Sequence, residues 1–166
     1  AYLVPKPDLA KFKPLNNEED AYKFYSTRPI SYDMFSPLYR WTRTWNKEEL
    51  EKVLKSTLIV QSKTGFVQPG LTNSNDFGEL MEIKVTIRGE SGKIISMDIV
   101  TDKNTFTIEK ELIIRRAFTK DGKALPSANV VFKYEVDDKG NWSDIVAYGG
   151  GFGHGCGMSQ FGAMYM

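Results

Sequence analysis

The sequence predicts an α+β fold in which short N-terminal helices precede a mostly antiparallel sheet. Helix-like stretches begin near Asn16 and at Asn46, ahead of the segments in which apolar and polar side chains alternate. Residues 81–100 and 129–148 each contain two strand-like runs separated by turn-forming residues, which indicates two hairpins. We expect about six strands, in a sheet that is either open or barrel-like.

The composition is typical of one globular domain. Of the 166 residues, 41% are hydrophobic and 26% are charged. The formal net charge is +1, without the basic excess of a nucleic-acid-binding protein, so no nucleic-acid partner is expected. The sequence has no apolar run long enough to span a membrane, and its single cysteine excludes an internal disulfide. We expect an extended lead-in over residues 1–14 and a single domain over residues 15–166.

The N-terminal third is predicted to be helical in two places. Residues 16–26 combine an asparagine cap with acidic residues in the first turn, and Arg28-Pro29 ends this helix. Asn46 caps a second helix, predicted to run to about residue 56 with Trp45 packing on Leu50. Residues 57–62 are rich in β-formers and are predicted to form a short strand.

The strand region follows a long polar loop at residues 64–79. Residues 81–88 alternate between apolar and polar side chains, which predicts a half-buried strand, and a turn at 89–92 leads back into a second strand at 93–100. The residues expected to face inward are Met81, Ile83, Val85, Ile87, Ile95, Met97 and Ile99.

The C-terminal half continues with short elements. Residues 105–108 are predicted to form a strand, and 109–118 a helix, with another strand as the alternative. Residues 129–136 and 142–148 form the second hairpin, whose last strand leads directly into a glycine-rich segment. The sheet is therefore expected to support this segment.

The glycine-rich segment, residues 148–163, holds seven of the chain's 14 glycines, its only histidine and its only cysteine. Its spacing fits neither a dinucleotide-binding fingerprint nor a phosphate-binding loop. The larger side chains between the glycines indicate a tightly folded turn that brings His154, Ser159 and Gln160 together, followed by a helix from Met158. Cys156 is interpreted as a buried thiol, and neither a metal nor a cofactor is expected.

Residues 151–163 resemble the signature of the SpoIID/LytB family, the sporulation stage II protein D and amidase-enhancer proteins of bacteria. The matching residues are Gly-Phe-Gly-His-Gly-Cys-Gly-Met-Ser-Gln-Phe-Gly-Ala. Weaker similarities extend the resemblance over most of residues 30–163. It implies a protein of peptidoglycan remodelling, related to lytic transglycosylases and located outside the cytoplasm, in the cell wall, periplasm or intermembrane space. The family's catalytic glutamate segment has no counterpart here, so the chain would be an inactive C-terminal portion of the domain.

The resemblance also implies a substrate-binding site for peptidoglycan glycan strands. The residues expected to line it are His154, Ser159, Gln160, Phe152, Tyr39 and Trp41. No catalytic residue is assigned, although His154 could support catalysis. The aromatic side chains of residues 30–45 suit either sugar stacking or the core. Two alternatives stay open: a non-catalytic peptidoglycan-binding module or amidase enhancer with a wall amidase as partner, and an interaction domain whose glycine-rich segment is structural.

Overall fold

A computed structural model describes residues 13–136, 138, 142–155 and 163–164. Within them the chain forms three α-helices and nine strands, and every strand pair is antiparallel. The helices are α1 (Glu18–Tyr25), α2 (Lys47–Ser62) and α3 (Glu111–Ala117). The strands are β1 (Trp41–Asn46), β2 (Val67–Gln68), β3 (Leu80–Arg88), β4 (Ile94–Thr101), β5 (Thr105–Glu109), β6 (Thr119–Lys120), β7 (Lys123–Ala124), β8 (Val130–Val136) and β9 (Trp142–Gly149). The predicted α+β class is confirmed.

The strands form three open sheets, with the orders β1-β9-β8, β2-β5-β4-β3 and β6-β7. The barrel-like alternative is therefore wrong. One main core joins the two larger sheets with α2 and α3; its fully buried large side chains include Trp45, Leu54, Phe77, Phe106 and Phe118. β9 is the central strand of its sheet, so the glycine-rich segment begins at the end of a strand that is hydrogen-bonded to a neighbouring strand on each side.

The helix α2 begins as predicted, because the Asn46 side chain accepts a hydrogen bond from the Glu49 main-chain N–H at 2.8 Å. It does not end near residue 56, and the strand predicted at 57–62 is wrong. The buried residues of the helix recur at helical spacing through to its last turn: Leu50, Leu54, Leu58 and Gln61. This continuous buried stripe, apolar up to Leu58, outweighs the β propensity of the residues between.

The hairpin of β3 and β4 is confirmed, but its predicted inner face is only partly right. Ile83, Met97 and Ile99 are buried, whereas Met81, Ile87 and Ile95 are about half exposed. Register shifts in β3, between Leu80 and Glu82 and again after Val85, break the period of two. The inward positions not predicted are those of Leu80, Ile94 and Ser96.

Four other predicted elements are confirmed, whereas the strands β1, β2, β6 and β7 were not predicted. The helix at 16–26 is present and is capped by Asn17; the strand at 105–108 and the hairpin of β8 and β9 are present, and residues 109–118 contain a helix, not a strand. The lead-in over residues 1–12 and most of the helix predicted from Met158 lie outside the described residues. None of the described helices combines the length and the apolar character that a membrane crossing requires.

Tyr134 on β8 links the two larger sheets. Its hydroxyl accepts a hydrogen bond from the Ile83 main-chain N–H at 2.5 Å and donates to the Ile83 carbonyl at 3.2 Å. Ile83 lies on β3, the last strand of its sheet, so the hydroxyl replaces the partner that a neighbouring strand would supply. Burial raises the pKa of Tyr134, which keeps the hydroxyl protonated at neutral pH.

We expect Tyr134→Phe to lower the free energy of unfolding by about 1–2 kcal/mol, because it leaves the Ile83 N–H and carbonyl without that partner. Denaturant unfolding measures the change. Tyr148→Phe is the matched control: its ring contacts Tyr22 edge-on, and its hydroxyl makes no hydrogen bond among the described residues, so the loss should stay within about 0.5 kcal/mol. Equal losses in the two variants would contradict the bridging role of the Tyr134 hydroxyl.

Candidate functional site

The described part of the glycine-rich segment, residues 149–155, is here called the glycine loop. Its main-chain N–H groups bond to three different parts of the chain. These bonds run from Gly150 to the Asn129 carbonyl (3.0 Å), from Gly151 to that of Leu38 (2.8 Å) and from Gly153 to that of Pro126 (2.8 Å). The main chain of the loop is thus held at three of its first five residues, as expected for a folded turn.

Three glycines of the loop have a backbone that other residues rarely adopt. Gly151, Gly153 and Gly155 have φ values of 76°, 83° and 66°. A residue with a side chain would be strained at each of them. Phe152 and His154 lie between these glycines, and both are exposed; Phe152 retains 73% of its accessible surface. The loop therefore presents an aromatic ring and an imidazole from a fixed backbone.

Trp41 lies directly under the start of the loop. It stands opposite Gly149 in the β1–β9 register, and its indole N–H donates to the Gly151 carbonyl at 3.1 Å. A methyl group built on Gly149 would lie under 3.0 Å from the indole ring, so the two residues are in close contact. Only 6% of Trp41 is exposed. Its ring supports the loop and is not open to a ligand.

Tyr39 is also part of this support, in place of the ligand-facing surface that the sequence analysis expected. It is 6% exposed, and its hydroxyl donates to the Pro29 carbonyl at 2.5 Å. The Arg40 guanidinium lies 4.1 Å from the centre of its ring. The burial of Tyr39 and Trp41 thus agrees with the alternative interpretation of residues 30–45, in which the aromatic side chains belong to the core.

Sequence reasoning missed Ser127, which fixes the loop from the opposite side. Its buried hydroxyl donates to the Gly150 carbonyl at 2.8 Å, while the Gly150 N–H bonds to the Asn129 carbonyl. Both polar groups of the Gly150 main chain are therefore satisfied inside the protein. Residues 125–129 were noted only as one of the weaker similarities, and Ser127 was not predicted as a site residue because its role depends on the contact between this segment and β9.

Arg40 was also missed, and it lies beneath Gly150. Its guanidinium donates to three main-chain carbonyls, those of Thr27 (2.8 Å), Tyr39 (2.8 Å) and Phe24 (3.2 Å). A methyl group on Gly150 would come within 3.0 Å of the Arg40 Nη1 atom. Burial lowers the pKa of Arg40, and nearby tyrosines partly oppose this effect. An arginine keeps its charge under such conditions.

Two further cations contact the outer part of the loop. The Lys93 ammonium donates a hydrogen bond to the His154 carbonyl and would lie 3.1 Å from a Cβ at Gly155. The Arg115 guanidinium lies 6.0 Å from the centre of the Phe152 ring. Arg115 also donates to the Leu125 carbonyl at 2.9 Å and pairs with Glu111 at 3.0 Å. Three cationic side chains, those of Arg40, Lys93 and Arg115, are therefore close to the loop.

A second exposed loop, residues 27–39, adjoins the glycine loop through the bond from Gly151 to Leu38. Successive turns and the Arg28 hydrogen bond to the Met34 carbonyl give it a compact form. It carries three exposed apolar side chains, Ile30, Tyr32 and Phe35. Residues 27–39 therefore present apolar side chains of their own, on a segment that is bonded to the glycine loop through Leu38.

Several expectations concern residues that the structure does not describe. Ser159, Gln160 and Cys156 lie outside the described residues, so their grouping with His154 stays a prediction. Among the residues that are described, no three histidine, cysteine or acidic side chains come together to hold a metal ion. Two shallow depressions flank α2, and no residue of the glycine loop lines either of them.

The geometry defines an α+β domain with a fixed glycine loop at the end of a central strand. Residues 2–157 match the model of a family described as Domain of unknown function (DUF8618), and the chain belongs to that family. The membership of the SpoIID/LytB family that the signature implied is therefore wrong. The backbone itself requires glycine at 151, 153 and 155, so part of that likeness reflects turn geometry. No curated protein and no solved structure matches the chain.

Proposed function

We propose that the chain is a non-catalytic module that binds the glycan strands of bacterial peptidoglycan through its glycine loop. The observation that carries the proposal is the exposed Phe152 ring on a backbone fixed by three main-chain hydrogen bonds. Keeping such a ring in water is unfavourable, and a bound ligand would remove that cost. The geometry supports an exposed binding surface, and the choice of peptidoglycan as the ligand comes from the likeness of residues 151–163 to the SpoIID/LytB signature, without membership of that family.

The polar groups beside Phe152 suit a sugar. A pyranose ring has an apolar face and a rim of hydroxyl groups, so it matches an aromatic ring flanked by hydrogen-bonding groups. His154 follows two residues later and is exposed, and its carbonyl is held by Lys93. Because the loop is already ordered, binding would lose little conformational entropy.

The geometry favours binding over cleavage. Glycan cleavage needs a carboxyl group that can protonate the leaving oxygen. Glu111 is linked to the loop surroundings through Arg115, and it is engaged in an ion pair with that guanidinium. We therefore assign no catalytic step. The module would act outside the cytoplasm, where it could hold a partner such as a wall amidase close to its substrate.

Sedimentation with purified peptidoglycan tests the proposal. The wild-type chain should sediment with the polymer and release no soluble muropeptides. Phe152→Ala should bind about tenfold more weakly, since losing one stacked ring costs about 1.4 kcal/mol, and it should unfold at the same temperature as the wild type because the ring is exposed.

The matched control is Ile87→Ala, which removes a half-exposed apolar side chain from β3. Its binding should equal that of the wild type. Failure of the wild-type chain to sediment, or equal binding by Phe152→Ala, would refute the proposal. Release of muropeptides would show that the chain is an enzyme and not a non-catalytic binding module.

A further inference from the structure

The cations around the glycine loop are satisfied mainly by carbonyl oxygens and not by carboxylates. Arg40 bonds to three main-chain carbonyls, and Lys93 bonds to the carbonyl of His154. Among the described residues, neither side chain lies within ion-pair distance of an acidic group. Carbonyl oxygens complete the hydrogen bonds of a cation but leave its net charge in place. Within the described part of the chain, two positive charges therefore lie beside the loop without an acidic partner.

Arg115 is the exception among the three cations, because its charge is balanced by Glu111. The positive potential at the loop thus comes from the side of Arg40 and Lys93. Arg40 lies beneath Gly150 and Lys93 beneath His154 and Gly155, so the two charges lie at opposite ends of the loop. Arg40 is partly buried, where solvent screens a charge less than it does at the surface, whereas the Lys93 ammonium is exposed at its contact with the His154 carbonyl.

The main-chain N–H groups of the loop do not supply an anion site of their own. Those of Gly150, Gly151 and Gly153 donate to the carbonyls of Asn129, Leu38 and Pro126. Attraction for an acidic group at the loop therefore comes from the cationic side chains, and Lys93 is the one that contacts the outer end of the loop at His154 and Gly155.

We infer that the glycine loop recognises a carboxylate carried by the glycan, and that Lys93 supplies the charge that selects it. This inference rests on the proposed function and narrows the ligand to an acidic glycan, as opposed to a neutral polymer of acetylated sugars. Phe152 would cover the face of a sugar while the carboxylate of that sugar or its neighbour approaches Lys93. Lys93 is then a specificity-determining residue.

The test compares two forms of one ligand. Purified peptidoglycan, stripped of phosphate-containing polymers with acid, is used with its carboxylates free or after their conversion to methylamides. The wild-type chain should bind the free form about fivefold more tightly, as expected for one solvent-accessible charge pair, and added salt should reduce the difference. Chitin, a neutral glycan, should bind like the methylamide form.

Variants assign the preference to one side chain. Lys93→Met should bind both forms alike, whereas Lys93→Arg should keep most of the preference. If Lys93 served only to position the loop, Lys93→Met would weaken both forms by the same factor and leave their ratio unchanged. Lys84→Met, which removes an exposed charge from the middle of β3, should keep the full ratio. Thermal unfolding checks that each variant is folded.

The outcomes separate the two proposals. Equal binding of both forms by the wild-type chain, or a full preference in Lys93→Met, would overturn the inference and leave glycan binding intact. A preference that exists only before the phosphate polymers are removed would overturn it as well, because phosphate would then be the anion recognised. Absence of binding to every polymer would instead refute the proposed function.

Discussion

Gly149→Ala is expected to lower the free energy of unfolding by about 3 kcal/mol. A methyl group at this position would lie under 3.0 Å from three atoms of the Trp41 indole ring, a distance that real Cβ atoms essentially never show. The ring cannot move aside easily, because Trp41 is buried and its N–H is bonded to the Gly151 carbonyl. Overpacking of a closed site costs this much.

Chemical denaturation measures the effect, and the chain offers a matched control. A methyl group at Gly70 would meet the Ser62 Cβ at 3.6 Å, an ordinary van der Waals distance, and Gly70 has no positive φ. Gly70→Ala should therefore be neutral or slightly stabilising, because alanine restricts the unfolded chain more than glycine does. If Gly149→Ala proved as harmless as Gly70→Ala, the close contact between Gly149 and Trp41 would be refuted.

The elements that the sequence predicts correctly are those whose signal is local. The cap of Asn46 and the turn of the β3–β4 hairpin depend on neighbouring residues and are found where expected. The strand β1 was missed because three polar residues separate Trp41 from Trp45, so the segment lacks a period of two, and because the strand forms by pairing with β9, about a hundred residues later. Non-local pairing leaves no mark in a short window of sequence.

The errors have the same origin. Residues 57–62 carry β-branched side chains, but the helix continues through them because Leu58 and Gln61 extend the buried stripe of α2. The exposure of Met81 and Ile87 arises from bulges in β3 that no residue type announces. In both cases tertiary packing decided the outcome over local preference.

The sequence located the glycine loop but not its supports. Phe152 and His154 are exposed on the loop, and their part in substrate binding stays a prediction. The sequence could not separate exposed rings from buried ones, so Tyr39 and Trp41 were grouped with Phe152. Ser127, Arg40 and Lys93 reach the loop from three distant segments, and only the assembled fold brings them together.

Trp41→Ala is expected to cause the largest loss, about 3–5 kcal/mol, because it empties a buried site and leaves the Gly151 carbonyl without its donor. Trp41→Phe keeps most of the ring and removes only the hydrogen bond, so it should cost about 1–2 kcal/mol and leave a folded chain. If the indole N–H helps to order the loop, Trp41→Phe should also weaken peptidoglycan binding while the control Tyr148→Phe does not.

A double-mutant cycle then tests whether Trp41 and Gly149 act as one unit. In a Trp41→Leu background the smaller side chain leaves room for a methyl group, so Gly149→Ala should cost at most about 1 kcal/mol there, against about 3 kcal/mol in the wild-type background. A coupling of about 2 kcal/mol follows. Additive effects would show that glycine is needed at position 149 for some reason other than its contact with the Trp41 indole ring. The contact between Gly149 and Trp41 lies where β9 ends and the glycine loop begins. The coupling energy between the two residues therefore measures how strongly the sheet stabilises the loop that carries Phe152 and His154.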